Sequence, residues 1–442
     1  MTVSDVGTCE GATVNRIKRS KRENRLTIMK TLKRDSMRAC RCQKSAGCAI
    51  LPLLCGLLLN QPSTADAVGF RLPNQDPEAI ARGDAFVATA DNPSAIYYNP
   101  AGITQLKGDN VRAGIYLISA DTKYTSPSGV TAETDTSLQA VPQLYYVHSF
   151  AETPISVGLG VYAPYGLSLD WGNNTPFSTV AESGDLIYAC INPVVAWRIL
   201  PSLSIAIGPT INYSHAEFKR AIGFIPGDQF KFTGDDTDVG FNAGILWQPH
   251  AMWSIGVNYR SATTLDYSGT ASTSPSPPYP SSTDSSASIK FPQFVIGGIS
   301  FRPTTNWNFE FDLDWTEWSD VQNITVKNTA FGDQTLTLNY RSSFIYDFGV
   351  TRQLGRGYFA SVGYIYSENS SPDANFNPLI PDANLNLGSV GFGHHGSQWD
   401  WAIAYHFAYN GGRTVQNDSN AAADGTYKTF NNAVNASVTF KF

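Results

Sequence analysis

The sequence predicts an all-β fold, a transmembrane antiparallel β-barrel of about fourteen strands, and three observations carry that prediction. From about Asn110 to the end, apolar and polar residues alternate with a period of two. The apolar parity is crowded with rings, and the polar parity holds small residues, Asn, Thr and acids rather than the Lys and Glu of a solvated sheet face. The connections also alternate, short then long, as they do in single-chain barrels.

The strands show the alternation directly. Trp399, Trp401, Ile403, Tyr405, Phe407 and Tyr409 share one parity against Asp400, Ala402, Ala404, His406 and Ala408. Trp307, Phe309, Phe311, Leu313 and Trp315 oppose Asn308, Glu310, Asp312 and Asp314, and Val434, Val438, Phe440 and Phe442 oppose Asn435, Ser437, Thr439 and Lys441. Rings at strand ends, such as Trp197, Trp247 and Trp253, fit the girdles of a barrel whose apolar rows face lipid. Short connections lie near 151–153, 200–201, 249–251, 303–304, 354–356 and 395–396. Long ones lie near 123–136, 170–183, 220–233, 271–285, 319–334, 371–383 and 412–428. Thirteen connections imply fourteen strands, placing the barrel at 110–442.

Composition narrows the field. Of 442 residues 15% are charged and 12% aromatic, against about 25% charged in an ordinary soluble domain. No apolar run reaches the roughly 18–20 residues of a spanning helix, so a polytopic helical membrane protein is excluded. So is a disordered chain, which would lack these rings.

Residues 1–67 differ from the rest. They hold 12 of the 31 Lys and Arg, an apolar stretch from Ala46 to Leu59, and Ala65-Asp66-Ala67. A basic region, a short apolar region and a small-x-small site make a secretory signal peptide. The basic region is long, and Met29 or Met37 is a candidate true start. The remaining chain carries 19 basic against 32 acidic residues, a net charge of about −13. Five of six cysteines leave with the leader, and Cys190 alone can form neither an internal disulfide nor a thiolate metal site.

Residues 68–109 do not follow the barrel pattern. Val68-Gly69-Phe70-Arg71-Leu72-Pro73 leads into an expected short helix around Pro77–Phe86, which contains Ala81-Arg82-Gly83-Asp84-Ala85. Asn99-Pro100-Ala101 follows. With the leader, the strand count and the terminal Phe442, this order resembles the FadL/TodX family of outer-membrane transporters for long-chain fatty acids and other hydrophobic compounds. The resemblance covers 68–442. It implies location in a Gram-negative outer membrane, among its lipid and lipopolysaccharide, and a barrel plugged by a small N-terminal hatch. It further implies passive uptake through an internal apolar site, with lateral exit at a kink in the third strand. On that resemblance Val68, Gly69 and Phe70 belong to the deeper ligand pocket, and Asn99, Pro100 and Ala101 sit against the kink.

The residues supply a kink independently. Val157–Tyr162 reads as the third strand and is interrupted by Ala163-Pro164-Tyr165-Gly166; proline removes a ladder donor and glycine permits a bulge. Tyr162, Pro164 and Gly166 are therefore the candidate lateral portal, the alternative being an ordinary strand end. Phe224 and Ile225, in an apolar loop tip, are candidates for an outer ligand groove, with Phe376, Leu379 and Ile380 as weaker ones. Arg71, Arg82 and Arg112 are candidate partners of a fatty-acid carboxylate, although Glu310, Asp312 and Asp314 make the lumen negative.

Enzymatic chemistry finds little support. His394-His395 falls at a short turn and reads as solvated rather than as a metal pair, and His406 stands among small residues on the lumen parity. No phosphate-cradling or zinc motif occurs, and a mature chain this acidic offers no surface to nucleic acid. The expectation is a monomer that is not an enzyme, without metal or cofactor, whose ligand is a long-chain fatty acid or a hydrocarbon. A general diffusion porin and a surface adhesin or structural barrel are the alternatives.

Overall fold

The structure, a computed structural model, describes residues 69–135, 137–416 and 420–442. The expected leader over 1–67 and the candidate pocket residue Val68 lie outside the described residues.

Fourteen strands follow one another: β1 (Gly108–Thr125), β2 (Gln139–Ser149), β3 (Ile155–Tyr162), β4 (Ser183–Leu200), β5 (Leu203–Ala221) and β6 (Gln229–His250). Then come β7 (Trp253–Arg260 and Thr263–Ser274), β8 (Ser282–Phe291 and Phe294–Thr304), β9 (Trp307–Thr316) and β10 (Ser343–Gly355). β11 (Tyr358–Ser367), β12 (Leu385–His395), β13 (Trp399–Tyr409) and β14 (Gly425–Lys441) complete the set. Neighbours pair antiparallel, and β14 returns to β1 in register from Asn110↔Lys441 to Thr125↔Thr426. The ring is closed, so no strand edge is left without a ladder partner for want of a neighbour.

The rows face as their chemistry requires. Ile207 is 60% and Val362 54% exposed, whereas Asn242, Asp312 and His406 are wholly buried. Apolar side chains therefore cover the outside and the polar parity fills the interior, the outer-membrane arrangement. The six short connections fall where the alternation put them.

The N-terminal segment packs against the inward faces. It contains α1 (Pro77–Ile80), α2 (Ala95–Tyr98) and a 3-10 turn over Pro100–Gln105. Asp76 caps α1 by accepting from the Glu78 N–H, and Pro77 opens the helix where no donor is needed. The expected helix to Phe86 stops four residues in, because Gly83 (φ +63°) and Asp84 (φ +54°) turn left-handed. A Cβ on Gly83 would stand 2.7 Å from the Tyr364 nitrogen, so only glycine lets the turn lie against the wall.

The wall makes room in return. A Cβ on Gly363 would fall 1.9 Å from the Gly83 nitrogen, and one on Gly349 2.3 Å from the Arg82 carbonyl. Gly391 and Gly256 meet Ala81 and Val87 at 2.3 and 2.0 Å by the same measure. Four strands thus carry glycine where the segment comes closest.

Candidate transport site

β3 is laddered on both sides up to Tyr162: Val161 pairs with Leu144 of β2 and Tyr162 with Cys190 of β4. Ala163–Gly166 then leave the ladder, and the continuation Leu167–Asp170 pairs with β4 alone, from Leu167↔Leu186. Four residues thus stand opposite the three between Leu186 and Cys190, a bulge. On the other side, Gln139–Gln143 of β2 pair with β1 but have no partner on β3.

The groups freed at the break turn inward. Pro164 O accepts from the Leu72 N–H (2.8 Å), the Gly166 N–H donates to Phe70 O (2.9 Å), and Ala163 O accepts from Gln75 Nε2 (2.8 Å). Arg71 and Tyr165 form the bridge at the centre of this short ladder. Pro164 and Gly166 therefore work as backbone partners of the N-terminal segment, and Tyr162 is the last residue held in the wall.

Asn99, Pro100 and Ala101 make their polar contacts within the segment and with β6. Asn99 Nδ2 donates to Val87 O (2.8 Å) and to Ile245 O of β6 (3.0 Å), and its Oδ1 accepts from the Ala101 N–H. A Cβ on Gly244 of β6 would meet Asn99 Oδ1 at 2.3 Å and Pro100 Cδ at 2.8 Å. The motif lies against Gly244 of β6, and the neighbouring Ile96 lies over Gly158 and Gly160 of β3 below the kink.

The lumen acids of β9 prove to be clamps on the segment. Asp312 Oδ2 accepts from the Phe86 and Val87 N–H groups (2.7 and 2.8 Å), and Glu310 Oε1 from those of Ala88 and Thr89 (2.8 and 3.0 Å). Arg71 forms an ion pair with Asp314, its Nη1 donating to Oδ1 (2.8 Å) and its Nη2 lying 2.6 Å from Oδ2, and Arg82 meets Glu310 at 3.1 Å. Arg112 meets Asp76 (2.5 Å) and Glu78 (2.9 Å). All three arginines considered as carboxylate partners are thus already committed to acids. His395 is not a merely solvated turn residue either, for its Nε2 lies 2.9 Å from Glu78 Oε2. Sequence reasoning registered the three acids of β9 as lumen charge; their period-two spacing on one strand was the available sign of a ladder-like role.

An apolar cavity of about 290 Å³ lies between this segment and the long-loop side. Phe70, Leu167, Phe218, Phe232, Leu379 and Ile380 are among its walls. Gly69 is not in the lining; it lies against the Trp318 ring, where a Cβ would fall 2.6 Å away. Arg220 borders the cavity and donates to Gln334 Oε1 (3.0 Å) and Ala221 O (3.2 Å), with no acid in ion-pair range among the described residues. Glu217, also on the border, is neutralised by Lys219 and Lys231.

Phe224 and Ile225 stand at an exposed tip, Phe224 at 74% exposure. Asp228 builds that tip by accepting from the N–H groups of Ile222, Gly223, Phe224 and Ile225. Desolvation pushes its carboxyl up, but these four donors outweigh it and hold it below the usual range. A second cavity, polar and about 460 Å³, lies on the short-turn side, bordered by Arg82, Asp91, Arg302 and His395.

Residues 59–442 match the family described as outer membrane protein transport protein (OMPP1/FadL/TodX). The chain belongs to the FadL/TodX family. Among curated relatives, the long-chain fatty acid transport protein of Escherichia coli O6:H1 (strain CFT073) is 23% identical over 72% of this chain and 81% of its own length. Outer membrane protein P1 of Haemophilus influenzae is 22% identical over 77% and 85%. Among solved structures, a Pseudomonas aeruginosa FadL homologue superposes with a TM-score of 0.75 at 17% identity, over 85% of this chain and 100% of its own. The Pseudomonas putida toluene transporter TodX gives 0.69 at 16%, over 85% and 100%. This FadL/TodX member is accordingly an outer-membrane transport protein and not an enzyme, and its barrel is that of the solved structures.

Proposed function

We propose that this protein takes up a long-chain fatty acid or another hydrophobic compound passively across the outer membrane. The ligand occupies the apolar cavity at Phe70 and leaves sideways through the break in β3. The observation that carries this reading is a shared residue: Phe70 walls the cavity and its carbonyl holds Gly166 of the break. Whatever displaces Phe70 acts on both.

The segment 68–109 acts as the hatch. Its described part, 69–109, borders both the apolar cavity and the polar one, and several of its contacts are charged, so small shifts break several bonds together. Burying an alkyl chain yields roughly 0.8 kcal/mol per CH₂, enough to hold a lipophile without dedicated polar contacts. A volume of about 290 Å³ is small for a drug-sized pocket, so a long chain extends beyond it. A diffusion porin needs a wetted lumen and an adhesin needs no internal apolar site; the filled ring and the cavity support transport over both. The closed ring supports a monomer.

Cells lacking their own transporter test the proposal through uptake of labelled oleate and toluene. A gain over a vector control is expected, and Gly166→Val should reduce it with barrel assembly intact. No gain for either compound, with the protein in the outer membrane, overturns the reading.

A further inference from the structure

We propose that the lipid-facing wall over β8–β11 holds one glycerophospholipid of the periplasmic leaflet, with an acyl chain in an apolar groove and the phosphate on Arg352. The site lies on the outside of the barrel, apart from the internal cavity, and stands whatever compound the barrel carries.

The groove follows from the register of the outward rows. Phe311, Phe348 and Tyr364 stand side by side on β9, β10 and β11, their ring centroids 4.8 and 6.4 Å apart. The next row toward the short turns is Phe309, Val350 and Val362. The two valines reach less far than the rings beside them, and a groove of about 500 Å³ lies there. Gly349 and Gly363 also line it, and Arg82 and Gly83 of the N-terminal segment press on those glycines from inside. The floor is thus backed, and the groove is formed before a lipid arrives, which lowers the cost of binding.

Any lipid would cover apolar side chains; the selective element is the charge at the end of the groove. Arg352 stands opposite Trp307 of β9, one outward position beyond Val350. It is exposed, its guanidinium lies 5.1 Å over the Trp307 ring, and it meets no acid among the described residues. Stacking leaves the fork of donors at the guanidinium edge free for a phosphate. The short connections beside it, 303–306 and 354–357, contain no acid and add Arg356. Short turns face the periplasm, and a Trp at that end of a strand marks the headgroup level. The leaflet on that side is glycerophospholipid, lipopolysaccharide being held in the opposite one. With no carboxylate in those turns to meet an ammonium group, the favoured headgroup is a net-anionic one, as in phosphatidylglycerol.

Dioleoyl phosphatidylglycerol and dioleoyl phosphatidylethanolamine share their chains and differ in the headgroup, so native mass spectrometry of the purified protein with both lipids separates charge from groove. The unaltered protein should retain one phosphatidylglycerol in preference. Arg352→Gln should lower the ratio of the two bound lipids about fivefold, the scale of one basic residue at a lipid surface. Val350→Trp should reduce retention of both alike, and Val438→Trp, on the lipid face of β14, should reduce neither. All three side chains lie outside the barrel, so heat-modifiable mobility should be unchanged. No preference in the unaltered protein, an unchanged ratio in Arg352→Gln, or equal effects of the two tryptophans overturns the assignment. So does retention of added lipopolysaccharide, instead of phospholipid, that depends on Arg352.

Discussion

Arg71 and Tyr165 pair in an isolated antiparallel bridge that ties the N-terminal segment to the break in β3. The Arg71 guanidinium extends the tie to the facing wall, with an ion pair to Asp314 of β9 and a stack on Phe294 at 3.7 Å. One residue thus joins the interrupted strand to an intact one. The segment, the break and β9 are therefore joined through this one residue.

Asp314→Ala leaves the buried Arg71 without its acid. Breaking a buried pair from one side costs about 3–5 kcal/mol. The expected outcome is a loosened segment in an intact barrel, seen as a rise in ion conductance across planar bilayers over the unaltered protein. Unchanged conductance would mean that the segment is held without this pair.

The glycines of the wall give a second handle. Gly363→Val places side-chain atoms where the Gly83 backbone lies, 1.9 Å from an ideal Cβ. Overpacking of this kind costs typically about 1–3 kcal/mol, and the segment has no room to yield. Gly388→Val on β12 is the control, since nothing lies within 4 Å of its Cβ. Conductance should rise for the first variant and stay unchanged for the second.

How far the sequence reached follows from the range of the forces involved. Strand number, facing and turn positions were legible because alternation is local and lipid enforces it along every strand. The rows at Trp399–Tyr409 and Trp307–Trp315 needed no tertiary information. The break at Ala163–Gly166 was legible as a chemical interruption, since proline and glycine act on their own backbone. The partners were not. Which carbonyl Gly166 meets, that Asn99 seats on Gly244, and that Glu310 and Asp312 clamp Phe86–Thr89 depend on contacts between residues far apart in the sequence.

Glu78 makes the seating of the segment acid-sensitive. Burial pushes its carboxyl up, but Arg112 and His395, each 2.9 Å away, outweigh burial and hold it at about 2. A carboxyl whose pKa is depressed on folding contributes stability that is full above its ordinary value of 4.5 and is lost as pH falls toward 2. Conductance should stay flat on acidification to about 4.5 and rise below it. Glu78→Gln, which has no carboxylate to take up a proton, should remove the part of that rise due to this residue. A rise of the same size in both proteins would assign it to other acids.

Ala216 offers the most direct test of the cavity. It lies on β5 with its side chain buried in the lining, opposite Leu186 of β4 in register. Ala216→Trp fills space that is empty of protein, so the strain usual for a core substitution is relieved into the cavity and the barrel should assemble normally. What is lost is volume for the ligand. Each CH₂ excluded from apolar surroundings forfeits roughly 0.8 kcal/mol, and two such groups already correspond to about tenfold weaker binding. Uptake of labelled oleate should therefore fall by about tenfold or more, with heat-modifiable electrophoretic mobility unchanged. The exposed tip supplies the contrast: Phe224→Ala leaves the cavity intact and removes only an outer apolar contact, so it should slow capture at low ligand concentration and have little effect near saturation. If Ala216→Trp transports as the unaltered protein does, the ligand does not pass through this cavity, and the route at Phe70 is wrong.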